Sequence, residues 1–378
     1  MRNYTITRIW GIPIRLNVSL LVFLPLLAWL IGSGAQISVY AGLIEQVMGI
    51  SFDVAVLRAG VTPWLIGIVA AVGLFVSVTL HELGHSWVAL RYGLEIESIT
   101  LWILGGIAAL SELPREWNRE FWIAIAGPIA SVLVGVGFWI AALLTPTSFP
   151  VVQFVFGWLA VINVTLVVFN LLPAFPMDGG RILRALLARN RPYASATRVA
   201  GRIGVIFAIL FAIVGVLSFN VILVLLAVFV YGAATTESRT VVIDELLDGI
   251  TVGDIMTRDF QTVAADATVA DLAERMLRDR QTHFPVTDET GEITGIVSLE
   301  DLKGVDQAAR ASTPVAEVMR DAPRFDTGDD AFEVLTLLNE ARTSKALVGG
   351  GGRIIGVLTE TDYSHALTIQ RGFQSGLV

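Results

Sequence analysis

The chain has 378 residues, of which 54% are hydrophobic and 16% are charged, with a mean hydropathy of +0.69 and a formal net charge of −8. This composition is too apolar for one soluble domain, and the length leaves room for two regions. Cysteine is absent, which excludes disulfides and thiolate metal sites and leaves nitrogen and oxygen as metal ligands.

Charge divides the chain near residue 239. Residues 1–239 contain 14 Lys+Arg and 10 Asp+Glu, a net charge of +4, whereas residues 240–378 contain 12 and 24, a net charge of −12. We therefore predict a membrane-embedded domain over 1–238 and a soluble domain over 239–378. A charge of −12 repels polyanions except where an arginine or a metal ion screens them. No nucleic acid is expected as a partner.

Hydrophobic runs predict about six transmembrane helices. Each run approaches or exceeds the roughly 20 residues that a bilayer requires. A stretch of 34 uncharged residues, Ile203 to Thr236, is interrupted at Ser218-Phe219-Asn220 and is interpreted as the fifth and sixth helices, the fifth beginning near Ala196. The first four predicted spans are Leu16–Ile37, Ala59–Arg91, Phe121–Leu144 and Val151–Leu172.

The second span carries His81-Glu82-Leu83-Gly84-His85 and has no charged residue from Ala59 to Leu80. On a helix, residues i and i+4 share one face, so the two imidazoles point at one shared metal and Glu82 is placed to act as a general base toward water. Ionisable groups inside a membrane are costly and usually functional. Since this pattern also occurs by chance in soluble chains, a third ligand is needed.

Between spans two and three, residues 95–110 show partial alternation, β-branched residues and a Gly105-Gly106 pair. This pattern predicts a short β-hairpin. An exposed strand edge there could pair with an unwound substrate, but a hairpin that only covers the helical bundle fits the sequence equally well.

The fourth span leads into Asn170-Leu171-Leu172-Pro173-Ala174-Phe175-Pro176-Met177-Asp178-Gly179-Gly180. The prolines predict that the chain leaves helix here, and the glycines would permit a tight turn. Non-helical backbone is tolerated at membrane depth only where protein or a water-filled cavity surrounds it. Asp178 ends a run that is uncharged from Phe121 to Met177, and a carboxylate there suits a cation. Without His81 and His85, it would be interpreted as the first polar residue beyond a helix.

The two motifs, in this order on two hydrophobic segments, resemble the site-2 proteases, which are polytopic zinc metalloproteases that cut substrates within the membrane. His81 to His85 matches their HExxH, and Asn170 to Gly180 matches their NxxPxxxxDG. The resemblance implies that His81, His85 and Asp178, at the end of the fourth span, bind one zinc ion while Glu82 activates water. It implies a role for Asn170 beside the substrate or the oxyanion, although a helix-terminal Asn can also cap backbone groups.

The resemblance covers roughly residues 1–238 and implies a single-span membrane protein as substrate, cut in regulated intramembrane proteolysis. Arginine placement predicts orientation. With six spans, thirteen of the fourteen arginines in residues 1–239 fall on one side of the bilayer and only Arg58 on the other. The excess of positive charge on cytoplasmic loops then predicts a multi-pass protein of the cell membrane with both termini in the cytoplasm.

The soluble half contains an internal repeat. Met256–Val305 and Met319–Ala366 align at offsets of 61 to 63, each with the order helix, strand, turn, strand, helix. This arrangement resembles a tandem pair of cystathionine-β-synthase (CBS) domains, expected over about 250–308 and 313–370. The predicted fold class is therefore a polytopic α-helical membrane protein with a soluble α/β CBS pair, through which the chain could also form a homodimer.

Each repeat carries a candidate nucleotide motif, Ser298-x-x-Asp301 and Thr359-x-x-Asp362. Each motif follows an apolar strand and opens a helix, where a hydroxyl and free N–H groups can meet a phosphate while the Asp accepts from ribose hydroxyls. The motifs resemble the adenine-nucleotide signature of CBS domains, which implies AMP, ADP or ATP as ligand. Ser/Thr-x-x-Asp is also an ordinary capping-box variant, and CBS pairs can be purely structural.

A CBS-regulated channel or transporter is the alternative function. Transport explains buried charge, but it does not require HExxH together with Asp178. The sequence therefore favours an intramembrane zinc metalloendopeptidase.

Overall fold

The structure, a computed structural model, describes residues 3–103, 105–110, 116–351 and 353–374. It divides into two compact units, Met1–Arg239 and Thr240–Val378.

The first unit is a helical bundle with a small sheet. Among the described residues, five helices are long and apolar enough to cross a membrane, namely α4, α5, α6, α8 and α9, and the bent pair α1 and α2 meets the same criterion together. This agrees with the six predicted spans. The helices are α1 Val18–Gly32, α2 Gly34–Met48, α3 Val54–Leu57, α4 Thr62–Arg91, α5 Trp117–Leu144, α6 Pro150–Asn170, α7 Asp178–Ala188, α8 Tyr193–Leu217 and α9 Val221–Leu247.

The first predicted span differs from the observed helices. Helix α1 ends at Gly32, Ser33 is extended with φ −63° and ψ 139°, and α2 leaves at an angle of 64°. A β-carbon on Gly34 would lie 2.6 Å from the Arg58 guanidinium, so the chain is tightly packed at this bend. The sequence predicts a single span over Leu16–Ile37, because the glycines on either side of Ser33 weaken a helix without necessarily ending it. The bend itself depends on packing between distant residues.

A four-stranded sheet accompanies the bundle in the order β1-β2-β3-β4. Strands β3 and β4 pair in antiparallel register, from Ile96 opposite Leu110 to Trp102 opposite Gly105, which is the predicted hairpin. Strands β1 and β2 form a second hairpin that the sequence analysis missed, and β2 runs parallel to β3. The strands are β1 Asn3–Ile9, β2 Ile12–Asn17, β3 Ile96–Trp102 and β4 Gly105–Leu110.

The second unit contains two three-stranded sheets with the same topology. In each, the first strand is parallel to the second and the second is antiparallel to the third, which confirms the internal repeat. The elements are α10 Val252–Ile255, β5 Val263–Ala264, α11 Val269–Asp279, β6 His283–Thr287, β7 Ile293–Ser298, α12 Leu299–Leu302, a 3₁₀ turn Val315–Glu317, β8 Arg324–Asp326, α13 Ala331–Glu340, β9 Lys345–Gly350, β10 Arg353–Thr359 and α14 Glu360–Gln374.

The opening segment of each repeat packs in the core of the other. Val252 and Met256 lie in one core with Val348 of β9, while Val315 lies in the other with Phe284 of β6. Backbone hydrogen bonds between Thr257 and Val357 and between Ile296 and Arg320 accompany this exchange. Neither repeat therefore completes its core from its own sequence.

Candidate metal centre

Helix α4 presents His81 and His85 on one buried face. Both side chains lie inside the bundle, and their Nε2 atoms are 3.1 Å apart. Four-residue spacing on a straight helix produces this alignment, and the apolar residues that precede the motif keep the helix within the bundle. The sequence prediction that both imidazoles share a face agrees with this geometry.

Asp178 is the first residue of α7, after an irregular segment, residues 171–177. The sequence analysis expected a tight turn at Gly179-Gly180, but both glycines are helical. Their small size serves packing instead, because a β-carbon on Gly180 would lie 2.7 Å from the Phe175 backbone nitrogen. The first turn of α7 can therefore lie directly against the segment that precedes it.

The three side chains converge. Asp178 Oδ2 lies 3.1 Å from His81 Nε2, and Asp178 Oδ1 lies 3.3 Å from His85 Nε2. One ligand atom from each residue falls within 4.8 Å of the others. Asn170 is the last residue of α6, is separated from Asp178 by the seven residues of the irregular segment, and is half-buried.

Both ring Nδ1 atoms already have partners. His81 Nδ1 is 2.9 Å from Ser131 Oγ, and His85 Nδ1 is 2.7 Å from the Ile123 carbonyl oxygen, which accepts a hydrogen bond from the ring. A proton on Nδ1 leaves Nε2 as the lone-pair donor, which is the arrangement that metal-binding histidines adopt. Ser131 and Ile123 both lie on α5.

The donor set fits zinc. Imidazole nitrogen and carboxylate oxygen are usual zinc ligands, and three protein ligands are typical of catalytic zinc sites, which keep a fourth position open. Gly127 of α5 lies against the Nε2 atoms of both histidines, because a β-carbon there would come within 2.7 Å of His81 Nε2 and closer still to His85 Nε2. Its hydrogen side chain thus leaves the Nε2 atoms accessible.

Glu82 lies next to His81 on α4 and is half-buried. Gly106 of strand β4 packs against it, because a β-carbon on Gly106 would be 2.9 Å from Glu82 Oε1. The sequence patterns did not connect Gly127, Ser131 or Gly106 with this centre. Their proximity to the centre depends on contacts between distant segments, which a sequence pattern does not encode.

The four candidate nucleotide residues form two capping boxes. Ser298 donates to Asp301 through both its hydroxyl, at 2.6 Å, and its backbone N–H, at 2.9 Å. Thr359 makes the same two bonds to Asp362, each of 2.7 Å. The interpretation of the two motifs as capping boxes therefore agrees with the structure at both positions.

The two capping boxes differ in the charge of the side chains around them. Asp301 also contacts Arg320 Nε at 2.6 Å and Lys345 Nζ at 3.7 Å, whereas the second oxygen of Asp362 accepts from Thr257 Oγ1 at 2.7 Å. Burial alone would raise the pKa of Asp301, but the bonds from Ser298 and the two cations hold it below its usual value. Burial lowers the pKa of Lys345 more than neighbouring carboxylates raise it.

Comparison with known proteins agrees with the two units. A model of peptidase family M50 matches residues 69–153 and 145–211, and a model of the CBS domain matches 252–307 and 315–368. A zinc metalloprotease of Methanocaldococcus jannaschii is 33% identical over 372 residues, 97% of each chain. Rip3 of Mycobacterium tuberculosis, named as a candidate zinc metalloprotease, is 32% identical over 326 residues, 82% of each chain.

A solved site-2 protease from Methanocaldococcus jannaschii is 36% identical and covers 63% of this chain and 95% of its own, with a TM-score of 0.43. Because one third of the residues are shared along nearly the whole length of the archaeal zinc metalloprotease, the chain belongs to the M50 family of zinc metalloproteases, the site-2 proteases. It is a multi-pass membrane enzyme that carries two CBS domains. The predicted family, fold class and enzyme class are confirmed.

Replacing Ser131 by Ala tests whether the hydroxyl orients His81. We expect zinc affinity to fall by about 10- to 100-fold, the usual cost of removing a partner of a metal-binding histidine. Chelator competition on the purified protein measures this. Ser77→Ala, a buried serine one turn before His81 that contacts Asn163, is the matched control and should bind zinc normally. Wild-type affinity in Ser131→Ala would contradict the assigned role.

Proposed function

We propose that this protein hydrolyses peptide bonds within transmembrane segments of single-span membrane proteins, in regulated intramembrane proteolysis. The observation that carries the proposal is the convergence of His81, His85 and Asp178, all buried among apolar membrane helices. We assign the protease to residues 1–238 and the CBS pair to residues 239–378, with repeats over about 250–308 and 313–370.

We assign His81, His85 and Asp178 as the ligands of one zinc ion per chain. A zinc ion held there would supply a Lewis acid that makes water acidic enough to lose a proton near neutral pH. With two neutral imidazoles and one carboxylate as its ligands, a doubly charged zinc ion would retain a net positive charge, which would favour a developing anion nearby.

Glu82 and Asn170 are the proposed catalytic residues. Glu82 takes the proton of the attacking water and delivers it to the departing amine, so the same carboxylate acts first as base and then as acid. The Asn170 amide donates a hydrogen bond to the scissile carbonyl oxygen as negative charge develops on it.

Strand β4 is the proposed docking edge for substrate. It is the last strand in its sheet among the described residues, and its Gly106 lies against Glu82. A substrate helix must unwind before its peptide bond can be attacked, and an extended peptide can hydrogen-bond to an open strand edge. The lack of a side chain at Gly106 lets such a strand run close to the general base.

The arginine distribution supports cytoplasmic termini. It also assigns the cytoplasmic side to the CBS pair and to the ends of the spans that carry His85 and Asp178. We propose that substrate and water reach the centre from that side.

The first test is Glu82→Gln. Gln is nearly isosteric with Glu but cannot accept the proton, so cleavage should fall by about 10²- to 10⁴-fold while zinc content stays at one equivalent. Turnover of a fluorescent single-span substrate in detergent, with metal analysis on the same sample, measures both quantities. Cleavage at the wild-type rate would refute the role of Glu82.

A second test is Asn170→Ala. An amide that acts in the transition state should affect rate more than metal binding, so we expect normal zinc content and activity reduced about 10²-fold. Thr165→Ala, on an exposed position of the same helix, is the control and should retain full activity. If Asn170→Ala is fully active, this residue is only a helix cap.

We propose that the CBS pair binds an adenine nucleotide and that binding alters proteolysis. Arg320 and Lys345 lie beside Asp301 and offer two cations for a phosphate, and a bound anion would favour the charged form of half-buried Lys345. The same cations offset the repulsion expected from the acidic unit. Asp362 has Thr257 in the equivalent place, so the second motif should bind anions less tightly.

Calorimetric titration of the full-length protein with AMP, ADP and ATP tests this proposal. Asp301→Ala should weaken binding more than Asp362→Ala. Asp271→Ala is the matched control, because the Asp271 carboxylate also accepts from the hydroxyl of a helix-capping residue, Thr268 at the start of α11. Absence of heat at millimolar nucleotide would leave the pair as a structural or dimerisation module, and nucleotide-independent cleavage would refute regulation.

A further inference from the structure

A buried ion network lies beside the metal centre on the same helix as Asp178. Arg184, six residues after Asp178 on α7, is 1% exposed. Its Nε donates to Glu120 Oε1 at 2.7 Å and its Nη1 donates to Glu237 Oε1 at 2.6 Å. One guanidinium therefore connects α7 to the start of α5 and to α9.

Aromatic rings enclose the same guanidinium. The rings of Phe175 and Tyr193 each lie with their centroids 4.9 Å from the Arg184 Cζ atom, and the Tyr193 hydroxyl donates to Glu120 at 3.3 Å. Phe175 belongs to the irregular segment that leads to Asp178. Arg184 thus contacts the helices α5 and α9 and also the irregular segment that leads into α7.

Helix α7 needs such an external constraint. It has 11 residues, too few to span a bilayer, and Asp178 is its first residue, preceded by a segment without regular structure. Helix ends fray, yet a metal ligand must be held within about 0.5 Å of its productive position. The helix hydrogen bonds of α7 alone do not determine where its first residue lies relative to α4.

We propose that Arg184 is a positioning residue that orients α7 and thereby places the Asp178 carboxylate beside the two imidazoles. This inference rests on the proposed role of Asp178 as a ligand. Burying charges is costly, and apolar side chains of similar volume often replace a buried ion pair without loss of stability, so such a pair gives weak evidence for stability and better evidence for specific geometry.

The planar guanidinium group of Arg184 is important for this role. A guanidinium has donors in a rigid plane and can bond Glu120 and Glu237 at once, whereas the lysine ammonium is a point charge on a flexible chain. Arg184→Lys should therefore retain the charge balance but position α7 less well.

Cobalt substitution provides a test that does not depend on activity, because the visible absorption bands of Co²⁺ respond to the arrangement of its ligands. The main variant is the double substitution Glu120→Gln with Arg184→Met, which removes the two fully buried charges together and leaves only the partly exposed Glu237 without its arginine partner. We expect altered cobalt bands and about 10- to 100-fold weaker metal affinity, with Arg184→Lys intermediate. Thermal unfolding in detergent verifies that the variants are folded.

Gln153→Leu is the matched control. Gln153 is a buried residue of α6 whose amide donates to the Ala142 and Thr145 carbonyls, so it links two membrane helices away from the centre. Its loss should leave the cobalt bands unchanged. If the double variant does not fold, Glu237→Gln, which removes one partner at a partly exposed position, should alter the bands in the same direction.

Asp178→Ala, measured in parallel, separates the two proposals. Unchanged bands in Asp178→Ala would refute the ligand assignment. Altered bands in Asp178→Ala together with wild-type bands and affinity in the folded double variant would refute only the positioning role of Arg184. Should the double variant fail to fold, wild-type bands in Glu237→Gln would refute it in the same way.

Discussion

Polar atoms inside a membrane bundle must find partners in the protein, because the surrounding hydrocarbon offers none. The metal centre meets this requirement with few residues. The Nε2 atom of each imidazole faces Asp178, and the Nδ1 atom faces α5. On α5, the Ser131 hydroxyl contacts His81 and the Ile123 carbonyl oxygen contacts His85. The centre therefore requires α4, α5 and α7 to lie at fixed distances from one another.

Small residues make those distances attainable. Gly127 leaves space at the two Nε2 atoms, and Gly84, between the histidines, lies where a β-carbon would be 2.8 Å from the Ala126 carbonyl oxygen. Helices α4 and α5 can therefore approach closely at the centre, as small residues permit in membrane helix packing. Gly179 and Gly180, which follow Asp178, let the first turn of α7 lie directly against the segment that precedes it.

The sequence predicted the features that depend on local pattern. Hydropathy gave the spans, alternation and a glycine pair gave the hairpin of β3 and β4, and self-similarity gave the CBS repeat. Spacing and order suggested His81, His85 and Asp178, and the structure brings these three side chains together. Their binding of zinc, and the roles of Glu82 and Asn170, stay predictions.

Features that depend on contacts between distant segments were missed. The hairpin of β1 and β2 has only a weak alternating pattern beside a long apolar run, and the exchange of opening segments between the CBS repeats cannot be read from their similarity. In the sequence, Arg184 is one of thirteen arginines that are expected on the cytoplasmic side. Only the structure shows that it is buried between two carboxylates.

The most direct measurement of the central claim is zinc-dependent cleavage of a single-span substrate by the purified protein, with the products located by mass spectrometry. The proposed function predicts a cut inside the apolar span of the substrate, lost when a chelator removes zinc and restored when zinc is returned. Cleavage that persists without metal, or cuts confined to the soluble flanks of the substrate, would contradict it.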